Sequence, residues 1–240
     1  MRFIQCKDYE ELSLTAAKLV REQILGNPHS KLGLATGSTP VGAYRHLVRM
    51  HKEEGLDFSG VSSYNLDEYY PLSPTDPQSY RYFMNQNLFD HVNIDKAQTH
   101  VPCGMAEDPA EECKRYDAML SAAGHVDLQI LGIGENGHIG FNEPADSLHA
   151  NTHLIHLSEG TIAVNARFFA KIEDVPTKAL TMGIGSIMCA RKILLLISGP
   201  KKHKVLHALF DDSITTSIPA TLLKAHPDVV VIYDQAAFEG

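Results

Sequence analysis

The run Val126-Asp-Leu-Gln-Ile-Leu131 leads straight into Gly132-Ile-Gly-Glu-Asn-Gly-His138-Ile-Gly-Phe-Asn-Glu143-Pro144. A short apolar run ending in closely spaced glycines reads as a buried strand followed by a loop, and open α/β sheets bind their ligands at such strand ends. Glycines permit positive φ and close backbone approach, and among and just after them stand a histidine, two amides and two carboxylates. That is the composition of an active-site loop. The order Gly132-x-Gly134-x-x-Gly137 also matches the dinucleotide fingerprint. The fingerprint needs a helix opening at its last glycine, whereas Gly140 and Pro144 oppose one, so no dinucleotide is expected.

Outward from this unit, short apolar runs alternate with amphipathic stretches. Strands are predicted over 3–6, 32–36, 61–66, 99–101, 126–133, 179–182, 193–198 and 229–233, and helices over 9–25, 40–54, 78–88, 109–122, 161–169 and 201–210. This alternation predicts an α/β fold whose mostly parallel sheet is covered by helices on both faces. No repeat or linker interrupts residues 1–240, so one domain is expected. The long, polar and interrupted stretch 144–176 beside the loop is the expected lid.

Composition narrows the function classes. The chain has 240 residues, 44% of them hydrophobic, enough for one sizeable core. Its net charge of −8 argues against a nucleic-acid surface. Its apolar runs are shorter than a membrane span and residues 1–10 do not resemble a signal peptide, so a cytoplasmic protein is expected. Cys6, Cys103, Cys113 and Cys189 lack C-x-x-C spacing, and the 13 histidines lack metal-ligand spacing, so no metal is implied.

Two further motifs close apolar runs. In Leu34-Ala-Thr36-Gly37-Ser38-Thr39-Pro40, a tight turn enters a helix with Pro40 in its first turn and Ser38 or Thr39 available as cap. Such a turn can hold a phosphate on backbone N–H groups and hydroxyls, and an ordinary capped helix start would look the same. Without a Walker lysine a monophosphate is the better fit. In Asn65-Leu66-Asp67-Glu68-Tyr69-Tyr70-Pro71, two adjacent acids must point apart, one towards the crevice and one towards a structural partner. Arg167 and Lys202 are candidate counter-charges for a phosphate turn that has none of its own.

Together LATGSTP, NLDEY, GHIGFNEP, NARFF, ALTMGI and IPATLL, in this order, resemble the glucosamine-6-phosphate deaminase family, particularly its short Gram-positive bacterial form. The resemblance spans nearly the whole chain, and ATGSTP is shared with the related 6-phosphogluconolactonases. It implies a three-layer α/β/α, modified Rossmann-like fold and conversion of glucosamine 6-phosphate and water to fructose 6-phosphate and ammonium without a redox cofactor. By that resemblance Asp67 is the base that moves a proton between C2 and C1, and His138 assists ring opening with Asn136 and Glu143 beside it. Thr36, Gly37, Ser38, Thr39, Arg167 and Lys202 correspond to the phosphate pocket. Some members carry aspartate at the position of Asn136, so here the relay must lean on Glu143. The partner is a small sugar phosphate, and the chain is expected as a monomer or small homo-oligomer. A lactonase, or a non-catalytic sugar-phosphate sensor, is the alternative.

Overall fold

The computed structural model describes residues 1–166, 169 and 171–240. Along the chain the strands are β1 (Arg2–Cys6), β2 (Lys31–Leu34), β3 (Ser62–Asn65), β4 (Asp67–Tyr70), β5 (Thr99–His100), β6 (Leu128–Leu131), β7 (His153–His156), β8 (Lys178–Thr181), β9 (Lys192–Ile197) and β10 (Val229–Asp234). The helices are α1 (Tyr9–Gly26), α2 (Ser38–Glu54), α3 (Tyr80–Met84), α4 (Pro109–Ala122), α5 (Glu159–Asn165), α6 (Ile184–Met188), α7 (His203–Phe210) and α8 (Gln235–Glu239). Seven strands form a parallel sheet in the order β1-β10-β9-β6-β2-β3-β5. With its helices this is the expected three-layer α/β/α arrangement, and among the described residues no helix is long and apolar enough to cross a membrane.

Local chemistry explains the long helices. Asp8 caps α1 by accepting from the Glu11 N–H, while Glu11 reaches back to the Lys7 N–H at 2.7 Å. Leu12, Ala16, Val20 and Ile24 recur at four-residue spacing and are buried. Asp108 caps α4, with Pro109 at the helix start. Strands β9 and β10 carry near-continuous aliphatic runs because central parallel strands are covered on both faces.

The strand order reverses between β2 and β6. From β2 the chain moves outward through β3 and β5, whereas β6, β9 and β10 lie on the other side. The loops that follow β2 and β6 therefore diverge and open a crevice at the carboxyl ends of the strands. As expected from Gly140 and Pro144, no helix follows β6.

Several sequence expectations need correction. The strand predicted over 179–182 is not part of the parallel sheet; as β8 it pairs antiparallel with β4 and β7 in a separate three-stranded sheet. The acids of Asn65-Leu66-Asp67-Glu68 do not end a strand; they open β4. The stretch 144–176 is not irregular throughout, since it holds β7, α5 and a 3₁₀ turn, Ile172–Asp174. Strand β7 is four residues long with a histidine at each end, too short to show a period of its own. The helix expected over 78–88 is α3 plus a wider π turn, Asn85–Phe89, where the Asn87 amide takes the Phe83 carbonyl at 2.7 Å. The helix expected over 201–210 opens with a 3₁₀ turn, Pro200–Lys202, and that expected over 161–169 is met by α5, with 167 and 168 lying outside the described residues.

Gly33 marks how tightly the sheet is filled beneath the crevice. It pairs with Gln129 across β2 and β6, and a Cβ at Gly33 would lie 2.0 Å from Gln129 Oε1. Gln129 is fully buried and its amide donates to the Ile130 carbonyl at 2.9 Å, so moving it breaks a buried hydrogen bond. Gly33→Ala is expected to lower stability by about 1 to 3 kcal/mol, the usual cost of overpacking. Urea unfolding of the two proteins at pH 7 measures it, and a loss below about 0.5 kcal/mol would show that the amide relocates.

Candidate active site

The crevice is a cavity of about 690 Å³ lined by Thr36, Gly37, Ser38, Thr39, Asp67, Asn136, His138, Thr161 and Lys202, among others. Six segments converge on it: the turn after β2, the start of β4, the start of α3, the loop after β6, the start of α5 and the turn after β9. Glu143 joins them through its contacts with Asn136 and His138. Arg167 lies outside the described residues.

At the first wall, Gly37 has φ 90° and serves as the N-cap of α2, with no side-chain hydrogen bond to the cap. The expected capping by Ser38 or Thr39 is not found, because the helix already begins at Ser38. The first-turn N–H groups of a 17-residue helix therefore face the cavity without a side-chain acceptor, and the helix dipole favours an anion there. Lys202 lines the same cavity from the turn after β9. That turn is anchored by Asp234, which accepts from the Ser198 hydroxyl and from the Gly199 N–H at 3.0 Å.

Asp67 occupies the opposite wall at a joint between the two sheets. The Leu66 N–H donates to the Leu34 carbonyl at 3.2 Å in the large sheet, and the Leu66 carbonyl accepts from the Met182 N–H at 2.8 Å in the small one. Asp67 follows at once and is 6% exposed. Its neighbour Glu68 points away and accepts from the N–H groups of Tyr69, Tyr80 and Arg81 at 2.8 to 2.9 Å. The two acids thus diverge as the strand geometry requires, with one in the cavity and one fastening α3. Burial, reinforced by the charge of Glu68, pushes the Asp67 carboxyl up to about 8. Burial also raises Glu68, to about 7, against its three backbone donors.

The loop after β6 folds back on itself. Gly134 N–H donates to the His138 carbonyl at 2.9 Å, and a Cβ at Gly134 would lie 2.3 Å from the imidazole, so the ring closes against bare backbone. The loop is tied to the small sheet by the Phe141 N–H on Thr181 Oγ1 at 3.1 Å and by the Asn142 amide on the Met182 carbonyl at 2.8 Å. Glu143 Oε1 lies 3.3 Å from His138 Nδ1, near enough for ion pairing though not aligned as a hydrogen bond. Glu143 Oε2 accepts from the Asn136 amide at 2.5 Å, and Thr161 donates its hydroxyl to Oε1. Burial alone would raise the Glu143 carboxyl, but His138 and then Thr161 and Asn136 hold it down, at about 2.

The structure therefore brings together every described residue singled out from the sequence. It adds Tyr80, Thr161, Ser198 and Gly199, which carry no motif of their own and reach the cavity only through the packing of α3, α5 and the turn after β9.

Residues 8–232 match the family of glucosamine-6-phosphate isomerases and 6-phosphogluconolactonases. The chain belongs to this family. A member from Clostridium perfringens, a glucosamine-6-phosphate deaminase, is 56% identical over 237 residues, covering 99% of this chain and 98% of that protein. A solved structure of a monomeric glucosamine-6-phosphate deaminase matches with a TM-score of 0.97 at 45% identity, over 99% of this chain and 98% of that one. The 6-phosphogluconolactonase of Thermotoga maritima shares the family fold, with a TM-score of 0.78 at 19% identity over 98% of this chain and 99% of its own.

The buried Asp67 has a consequence for stability. Its folded-state pKa lies above the unfolded value, so between about pH 4 and pH 8 the folded chain holds a proton that the unfolded chain has released. Folding stability through this group is intact below pH 4 and declines as pH rises towards 8. Asp67→Asn, which cannot ionise, is expected to gain on the parent over that window, by about 2 kcal/mol or more at pH 8. Urea unfolding at pH 4, 6 and 8 tests this; a difference that stays constant with pH would contradict it.

Proposed function

We infer that this chain isomerises and deaminates glucosamine 6-phosphate, yielding fructose 6-phosphate and ammonium. The observation that carries this reading is the separation of roles within one cavity. A buried carboxyl stands on one wall, a histidine paired with a carboxylate on another, and an uncapped helix start with a lysine at the far end. The family membership and the close deaminase relatives support the same reaction.

In this reading the phosphate rests on Thr36, Gly37, Ser38 and Thr39 at the start of α2, with Lys202 and Arg167 as counter-charges. His138 takes the proton of the anomeric hydroxyl and returns one to the ring oxygen, opening the pyranose to an aldehyde. Glu143, held by Asn136 and Thr161, steadies the imidazole while its charge changes. Asp67 then removes the proton from C2 while the substrate's own ammonium group gives one to O1, forming an enolamine, and Asp67 delivers its proton to C1, which leaves an iminium at C2. Water adds to that iminium, the C–N bond breaks, and ammonia leaves as ammonium with the ketone formed. A carboxyl raised towards neutrality suits Asp67 to a step in which it must both accept and return a proton.

A lactonase adds water to an ester carbonyl and has no C–H bond to break. The burial of Asp67 therefore favours the deaminase over that reading, and a 6-phosphogluconolactone hydrolysis assay separates the two. We also read residues 1–240 as one domain acting in the cytoplasm. The deaminase neighbour described as monomeric supports a monomer. Within 144–176, Ser158, Gly160 and Thr161 line the cavity, which supports this segment as its lid.

Two outcomes are expected from glucosamine 6-phosphate assays that follow ammonium. Asp67→Asn keeps the shape of the base but cannot accept a proton, so kcat should fall at least about 100-fold. A variant retaining a tenth or more of the parent kcat would remove Asp67 as the base. Arg167→Ala and Lys202→Ala should each raise KM by roughly 10- to 100-fold, since each leaves part of a dianion unpaired at about 1.5 to 3 kcal/mol. Unchanged KM in both would reject the phosphate assignment.

A further inference from the structure

Thr161 stands in the first turn of α5, on a different element from every residue assigned a chemical role above, and is 9% exposed. Its hydroxyl accepts from the Ser158 hydroxyl at 3.1 Å and donates to Glu143 Oε1. With one lone pair committed to Ser158, the Thr161 proton is directed at the carboxylate. Oε1 is also the oxygen that lies 3.3 Å from His138 Nδ1, while Oε2 is engaged by Asn136. The carboxylate that faces the imidazole is thus gripped from two sides, by its own loop through Asn136 and by α5 through Thr161. Helix α5 is in turn seated on the small sheet, where Ile162 packs with the cluster of Tyr69, Phe141, Leu157 and Ala179. Arg167 follows this helix closely in sequence.

We propose that Thr161 is a positioning residue for ring opening, setting Glu143 against His138 so that the reactivity of the histidine depends on the seat of α5. The proposal rests on the deaminase reading. It links the helix leading to the phosphate-binding arginine with the carboxylate that serves the opposite end of the substrate. A donor hydroxyl at this oxygen does two things. It fixes the direction from which the carboxylate meets the ring, and it favours the ionised carboxylate, in the direction in which Glu143 is held.

The test compares Thr161→Val, which keeps the shape and loses the hydroxyl, with Thr161→Ser, which keeps the hydroxyl. Thr161→Ala serves as a second deletion should the valine protein fail to fold. For the deletion we expect kcat to fall about 10-fold, with KM for glucosamine 6-phosphate within about twofold and the acidic limb of the pH profile raised by about one unit. Serine should recover most of the lost kcat. The open-chain alditol of the substrate needs no ring opening, so its inhibition constant should be the same in all the proteins. Unaltered kcat and pH profile in the deletion variants, or a serine variant no better than valine, would overturn the proposal.

A substrate-free measurement separates this outcome from failure of the deaminase reading. The ¹³C carboxyl signal of Glu143, assigned with Glu143→Gln, should show the deletion variants partly protonated at about pH 2.5 to 3.5, about one unit above the parent. Parent protein that releases no ammonium would end the deaminase reading and, with it, Thr161's part in ring opening; the carboxyl titration would still decide whether Thr161 holds Glu143, and superimposable curves would show that it does not.

Discussion

The whole site hangs on the joint at Leu66. One residue gives its N–H to the parallel sheet and its carbonyl to the antiparallel one, so the direction in which Asp67 leaves the backbone is set by both. Since the same small sheet also holds the loop after β6 through Thr181 and Met182, the positions of Asp67 and His138 are not independent. A shift of β8 would move both walls of the cavity together. The proposed reaction asks for this, because in it a base over C2 and a proton relay at C1 and the ring oxygen must keep a fixed separation.

Two carboxylates in the cavity are driven in opposite directions by their surroundings. Asp67 has burial and a like charge next to it and, among the described residues, no partner cation, and burial sends it upward. Glu143 is only partly buried and has an imidazole, a hydroxyl and an amide on its two oxygens, which send it downward. One fold thereby supplies a carboxyl that exchanges its proton near neutrality and a carboxylate that stays charged throughout. Asn136 explains how a neutral amide serves beside the histidine: its role in the structure is to orient Glu143, and a donor amide does that where a second carboxylate would repel it.

This arrangement opposes stability. A buried acid without a counter-charge among the described residues, a glycine that must leave room for an imidazole and an uncapped helix start each weaken the fold locally and each serve the cavity. The near-continuous aliphatic strands β9 and β10 beneath them supply the compensating burial.

Much of the frame was legible in the chain itself. The alternation of apolar runs with capped helices determined the parallel sheet, because burial period and cap chemistry are local properties. The loop after β6, the turn after β2 and the acids after β3 were recognisable for the same reason: each is a contiguous string whose glycines and polar groups make sense only at a strand end. Tertiary structure alone decided what those strings do to one another. Strand β8 reads as one more buried parallel strand, and only its antiparallel pairing with β4 and β7 gives it another sheet. Nothing in the spacing of Asp67 reveals that it loses water, or that Thr161, 18 residues from Glu143, shares an oxygen with His138. Proton affinity and hydrogen-bond geometry depend on solvent exclusion and on contacts between distant segments, and both come into being only when the two sheets meet.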